Sequence, residues 1–202
     1  MSKRVYVSAD YDPLYGDQVV VNELKRWSAD NLHKVEFIDM AQVATGSVSD
    51  GDNCRICDLK NEFNKQINAS SAVIFIVGDK TARRQAGTLC ERASKVQEQC
   101  LCTPYKNNAN GSRKCKVDSI GVAGVYDDFG CINNYSYLRH EFEQAKKRRK
   151  HIIILYNSTR YETTWFPLYM NGYQSIARPF WKKNDSGELV GDYAYIKEAL
   201  GF

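Results

Sequence analysis

The sequence has no apolar run long enough to cross a bilayer, which excludes a membrane-spanning helix. Its opening residues, MSKRVYVSAD, lack the apolar stretch of a secretory leader, so a cytoplasmic location is expected. Neither G-x-G-x-x-G nor G-x-x-x-x-G-K-[ST] occurs, which leaves a Rossmann dinucleotide site or a P-loop without support. Excess charge is scarce as well. The net charge of +4 is too small to imply nucleic acid by itself. Much of that excess lies in Lys146–Lys150, read as a solvated helix end that complements the helix dipole. The seven cysteines are an odd number, and in a cytoplasmic protein they read as thiols rather than a disulfide frame. Cys54-x-x-Cys57 has zinc-ligand spacing, as does the closer Cys100-x-Cys102, and Cys115 and Cys131 are available to complete a set. Neither pair has a matching pair at ribbon spacing, and His33, His140 and His151 are scattered, so no metal is expected.

What is present is a core. Hydrophobic residues make up 43% and charged residues 26% of the 202 positions, as in an ordinary globular domain. Arg4–Ser8 reads as a first strand and ends in Ala9-Asp10-Tyr11-Asp12-Pro13, a loop-forming run. Asp17 is placed to cap a helix over 17–29, where Val20, Val21, Leu24 and Trp27 recur at helical spacing. Lys34–Asp39 reads as a second strand. Leu59, Phe63 and Ile67 mark a second helix over 57–67. Ala72–Val77 and His151–Tyr156 are continuously apolar rather than alternating, which means strands covered on both faces, as in a parallel sheet.

Strand, helix, strand, helix with short connections predicts an α/β protein, a flavodoxin-like doubly wound parallel sheet with helices on both faces. The expected organisation is one domain over 1–202. Within it lie a polar, cysteine-bearing insertion over 81–134, holding a helix over 86–99 and a strand over 120–126, and a C-terminal extension over 158–202. In that extension Ile176–Trp181 and Glu188–Val190 flank a hairpin turn at Asn184–Gly187, and Asp192 is placed to cap a last helix closed by Gly201.

Ligands of open parallel sheets sit beyond the carboxyl ends of the strands. The candidate contacts there are Ser8, Ala9, Asp10 and Tyr11 after strand one, Asp39 after strand two and Lys80 after strand three. A helix begins at the same rim. Tyr135, Leu138, Phe142 and Ala145 form its apolar stripe, and Glu141 falls along the edge of that stripe. A carboxylate beside an apolar face is either paired, here with Arg139, His140 or a helix-end cation, or functional.

Together KRVYVSADYD, NASSAVIFIVGDKT and YLRHEFEQAKKRRKHIIILYN resemble the TIR-like domains of bacterial defence proteins, nearest the TIR-like signalling component of Thoeris anti-phage systems. Tyr137-Leu138-Arg139-His140-Glu141 matches the family's helix motif, whose glutamate is the catalytic residue of TIR enzymes that cleave NAD. The match spans roughly residues 3–80 and 135–157. The long connection between Lys80 and Tyr135 departs from it. The resemblance implies that Glu141 is catalytic, with Tyr137 among the substrate contacts, that NAD is substrate rather than cofactor, and that the product is an ADP-ribose-derived signalling nucleotide, cyclic or an adduct. It also implies a phage-derived trigger, a homo-oligomer and a separate effector protein that reads the signal. Two rival expectations stand beside it. One is a non-catalytic TIR-like interaction module. The other is a nucleoside N-glycosidase of the deoxyribosyltransferase kind, which also works with a carboxylate on this type of sheet.

Overall fold

The computed structural model describes residues 3–10, 16–29, 35–39, 55–83, 105–107, 113–115 and 137–202. Its centre is a five-stranded parallel sheet. The strands are β1 (Lys3–Ser8), β2 (Val35–Asp39), β3 (Ala72–Val77), β6 (His151–Tyr156) and β7 (Ala177–Pro179), in the spatial order β2-β1-β3-β6-β7. Two short antiparallel pairs lie apart from it: β4 (Tyr105–Asn107) with β5 (Arg113–Cys115), and β8 (Trp181–Lys183) with β9 (Leu189–Gly191). The helices are α1 (Gln18–Ser28), α2 (Arg55–Ala69), α3 (Tyr137–Lys147) and α4 (Tyr193–Ala199). The strand order is the flavodoxin-like one: the chain steps from β1 outward to β2, then returns across β1 to β3 and continues the other way.

Strand alternation divides the interior into two cores. Val5 and Val7, Ile74 and Ile76, and Ile153 and Leu155 face one side, where Val20, Val21 and Leu24 of α1 and Ile196 of α4 cover them. Tyr6, Val73, Phe75, Val77, Ile152 and Ile154 face the other, against Phe63 and Ile67 of α2 and Phe142 and Ala145 of α3. Every residue of β3 is buried, which explains its uninterrupted apolar run. Phe142 anchors α3 with edge-on contacts to Phe75 (5.3 Å between centroids) and Tyr173 (5.1 Å).

A polar ladder fixes the register of α3 on α2. His140 Nε2 lies 3.0 Å from Asn64 Oδ1, and one turn on Gln144 Nε2 donates to Asn68 Oδ1 at 2.8 Å. Burying such groups is costly unless they pair, so a one-residue slip of either helix would leave them unsatisfied.

The C-terminal segment departs from expectation. Ile176–Trp181 is not one arm of a hairpin. Its first part, β7, joins the main sheet beside β6, and the hairpin starts only at Trp181. Between them Phe180 is fully buried, and Trp27 packs against it at 5.6 Å. Burying Phe180 on the α1 side separates the two strands. The hairpin turn falls where Asn184–Gly187 places it, with Gly187 at φ 84. Gly191 follows under the same aromatic group. A Cβ there would stand 2.7 Å from the Trp27 ring and 2.8 Å from Phe180. Gly191→Ala is therefore expected to destabilise the protein by about 1–3 kcal/mol, measured by urea unfolding.

The helix over 86–99, the strand over 120–126, Tyr11, and Cys54, Cys100, Cys102 and Cys131 lie outside the described residues. Among the described residues no helix is long and apolar enough to cross a membrane.

Candidate active site at the sheet switch point

The strand order reverses between β1 and β3, so the crevice of interest opens beyond Ser8 and Val77. Helix α3 starts at this rim, with Glu141 in its second turn. Helical geometry turns Leu138, Glu141, Phe142 and Ala145 to one side, and all are buried. Glu141 is not on the margin of the stripe as its spacing suggests. It is fully buried, at 0% exposure. Its carboxylate is held from β1: Tyr6 Oη donates to Oε1 at 2.8 Å and Ser8 Oγ donates to Oε2. Tyr6 and Ser8 are two residues apart on a strand and so share a face, the face toward α3. Two hydroxyl donors on one carboxylate fix its orientation.

Of the residues expected at the rim, Ser8 meets Glu141 directly. Ala9 is buried in the α1-side core, and Asp10 is nearly buried, its carbonyl accepting the Asp17 N–H at 2.7 Å. Tyr137 packs edge-on against Phe63 at 5.6 Å. Lys80 is half-buried, and its carbonyl ends a short turn by accepting the Arg83 N–H. Asp39 is buried at the end of β2, where Lys25 of α1 meets its Oδ2 as an ion pair. Tyr6 was missed. The signal for it was available in Tyr6-x-Ser8: a hydroxyl two residues before another, in a strand otherwise valine-rich, needs a polar partner once buried.

A second carboxylate stands at the rim on the α1 side. Asp17 precedes α1, but its side chain makes no cap bond. It turns instead to Asn157, whose Nδ2 donates to Oδ1 at 2.9 Å. Trp181 Nε1 donates to Asn157 Oδ1 at 2.8 Å and so sets which way that amide faces. Gly78 makes the arrangement fit. A Cβ at Gly78 would lie 2.3 Å from Asp17 Oδ1, so only glycine admits the carboxylate there. Burial pushes the Asp17 carboxyl up from 3.8 to about 6, the Asn157 bond opposes this, and the nearby charges of Asp10 and Asp79 add to it. Asp192 behaves likewise at α4: it makes no side-chain cap and accepts Lys182 Nζ at 2.8 Å. In both places a partner distant in sequence takes the carboxylate that a local cap would use.

Among the described residues no three of His, Cys, Asp and Glu lie close enough together to hold a metal ion. No protein-family model, curated protein or solved structure matches the chain.

Proposed function

We propose that the chain is a TIR-like enzyme that cleaves NAD and releases an ADP-ribose-derived signalling nucleotide in anti-phage defence. The observation that carries the reading is the Glu141 carboxylate, gripped by Tyr6 and Ser8 beneath the carboxyl end of β1. The Tyr137–Glu141 motif supports it from the sequence side. In NAD the nicotinamide nitrogen is cationic. When the glycosidic bond breaks, its electron pair leaves with nicotinamide, which departs neutral, and positive charge develops on the ribose. No strong general acid is required. A fixed carboxylate stabilises that developing charge and can accept hydrogen bonds from the ribose hydroxyls. Water attacking the cation gives ADP-ribose and a proton, an internal nucleophile gives a cyclic product, and another nucleophile gives an adduct. On this reading the sheet is a TIR-like variant of the doubly wound fold, the chain assembles with copies of itself, a phage-derived signal triggers it, and a separate effector reads the product.

A second reading has its own observation. Glu141 is wholly buried with both oxygens engaged, as befits a post that locks α3 to β1 in a non-catalytic interaction module. The deciding experiment incubates the protein with NAD, and separately with nucleosides, in lysate from phage-infected cells, followed by mass spectrometry. Nicotinamide release that depends on Glu141 supports NAD cleavage. Turnover of nucleosides alone points to the deoxyribosyltransferase-like chemistry. No turnover of either, together with protection against phage that survives loss of Glu141, supports the interaction module.

A further inference from the structure

The opposite end of the sheet carries an unfinished edge. β7 pairs with β6 only from Ile154↔Ala177 onward, so among the described residues no strand lies beside His151–Ile153 on that side. The backbone there faces outward. Asn157 N–H points to Val77 on the β3 side, whereas the carbonyls of Tyr156 and Ser158 accept Phe180 and Trp181 N–H on the other. Alternation along the strand turns Ile154 and Ile152 the same way as Tyr156. The Ile176 N–H, which would continue the ladder to Ile152, donates to the Tyr173 carbonyl instead. An open cavity of about 830 Å³ occupies the place of the absent strand.

Its rim is basic. Lys146 and Arg149, at and just past the end of α3, and Arg178 on β7 line it together with Tyr173, Tyr195 and the acid Glu198. Lys146 also pairs with Glu143 at 3.2 Å, and Arg178 Nη1 donates to the Ser175 and Ala177 carbonyls at 3.0 Å, so a peptide carboxylate would share these cations. Lys150 also lines it, with its ammonium donating to the Asn68 and Ser70 carbonyls. Arg149 differs from its neighbours in its backbone. It holds φ 51 where α3 ends, a left-handed position that favours glycine. From that position its side chain lines the cavity.

We propose that this edge binds an acidic extended peptide, which adds as a parallel or antiparallel strand beside His151–Ile153 and sets its carboxylates against Arg149, Lys146 and Arg178. Main-chain bonds to Ile152 supply register, and the basic rim supplies selection by charge. The outward backbone groups favour a peptide over nucleic acid, which reads phosphates and bases and has no use for a strand edge. The outer edge of β7 itself is a poor alternative, because Pro179, whose backbone would face an incoming strand there, has no N–H to give.

The test uses the full chain and a fluorescein-labelled hexapeptide alternating glutamate and valine, with binding read by anisotropy. Saturable binding is expected, weakening as salt rises from about 0.05 M to about 0.5 M. The same peptide N-methylated at alternate residues should not bind. Arg149→Gly should raise the unfolding temperature, because it relieves the left-handed strain, while weakening the peptide roughly two- to fivefold. Equal affinity for the N-methylated peptide, no saturable binding, or binding of a thymidine oligonucleotide in place of the peptide would each overturn the proposal. None of these readouts depends on NAD chemistry.

Discussion

If the chain cleaves NAD as proposed, Glu141→Gln should lower nicotinamide release at least about a hundredfold, with little change in unfolding temperature. The size follows from what is removed. A fixed negative charge, placed where positive charge develops, is worth most in a site shielded from water. The preserved fold follows from the local bonds. Tyr6 Oη and Ser8 Oγ both donate to Glu141. A glutamine keeps one acceptor oxygen, and a hydroxyl can rotate to accept from the new amide. Glu141→Ala is a poorer probe, since it strands two buried hydroxyls and opens a cavity beside Phe142. Each stranded hydroxyl costs about 1–3 kcal/mol, so lost activity in that variant would be confounded with lost structure. Both proteins should be compared in lysate from infected cells, so that any trigger is present. Wild-type turnover in a well-folded Glu141→Gln variant would remove the catalytic assignment and leave the structural post.

The same residues show what the sequence carries and what it cannot. β3 and β6 are legible because both faces of each are covered, which writes an unbroken apolar run. Helix α3 is legible because its buried positions recur with the helical period. That period locates Glu141 near the core. It cannot say that two hydroxyls on a strand more than 130 residues earlier would close over it, a separation of 135 for Tyr6 and 133 for Ser8. β7 lies within the extended run Ile176–Trp181, but its partner is not legible. Extended chain before a turn reads as a hairpin arm, and nothing local says that its first three residues pair instead with the open side of β6. The caps were misread because an aspartate before a helix has the same local signature whether or not a distant partner claims it. Asn157 claims Asp17, and Lys182 claims Asp192. Local rules are therefore informative along the chain and weakest at the rim, where residues from β1, β3, β6 and the C-terminal hairpin converge.

That convergence gives Asp17→Asn a pH-dependent stabilising effect. Burial raises the Asp17 carboxyl from 3.8 to about 6 in the folded protein. Between those values the folded state holds a proton that the unfolded chain has released. Stability contributed by this group therefore falls as pH rises from about 4 through 6, and the whole penalty is present by about pH 7. Two pH units correspond to about 3 kcal/mol, and at 3% exposure little of that is screened by solvent. Asparagine removes the charge and keeps an oxygen for the Asn157 amide, with Gly78 still leaving room for it. The variant should gain about 2–3 kcal/mol over wild type at pH 7.5 and little at pH 4, measured by urea unfolding at both. Carboxylates that shift the other way, such as Glu62, cancel because they are common to both proteins. An equal difference at the two pH values would mean that Asp17 is not a strained charge. If the stabilised variant also loses NAD turnover, the rim carboxylate is retained for function at the expense of stability, as expected where a chain holds an unfavourable charge beside its reaction site. If turnover is unchanged, Asp17 serves only to tie β1, β3 and β6 together through Gly78 and Asn157.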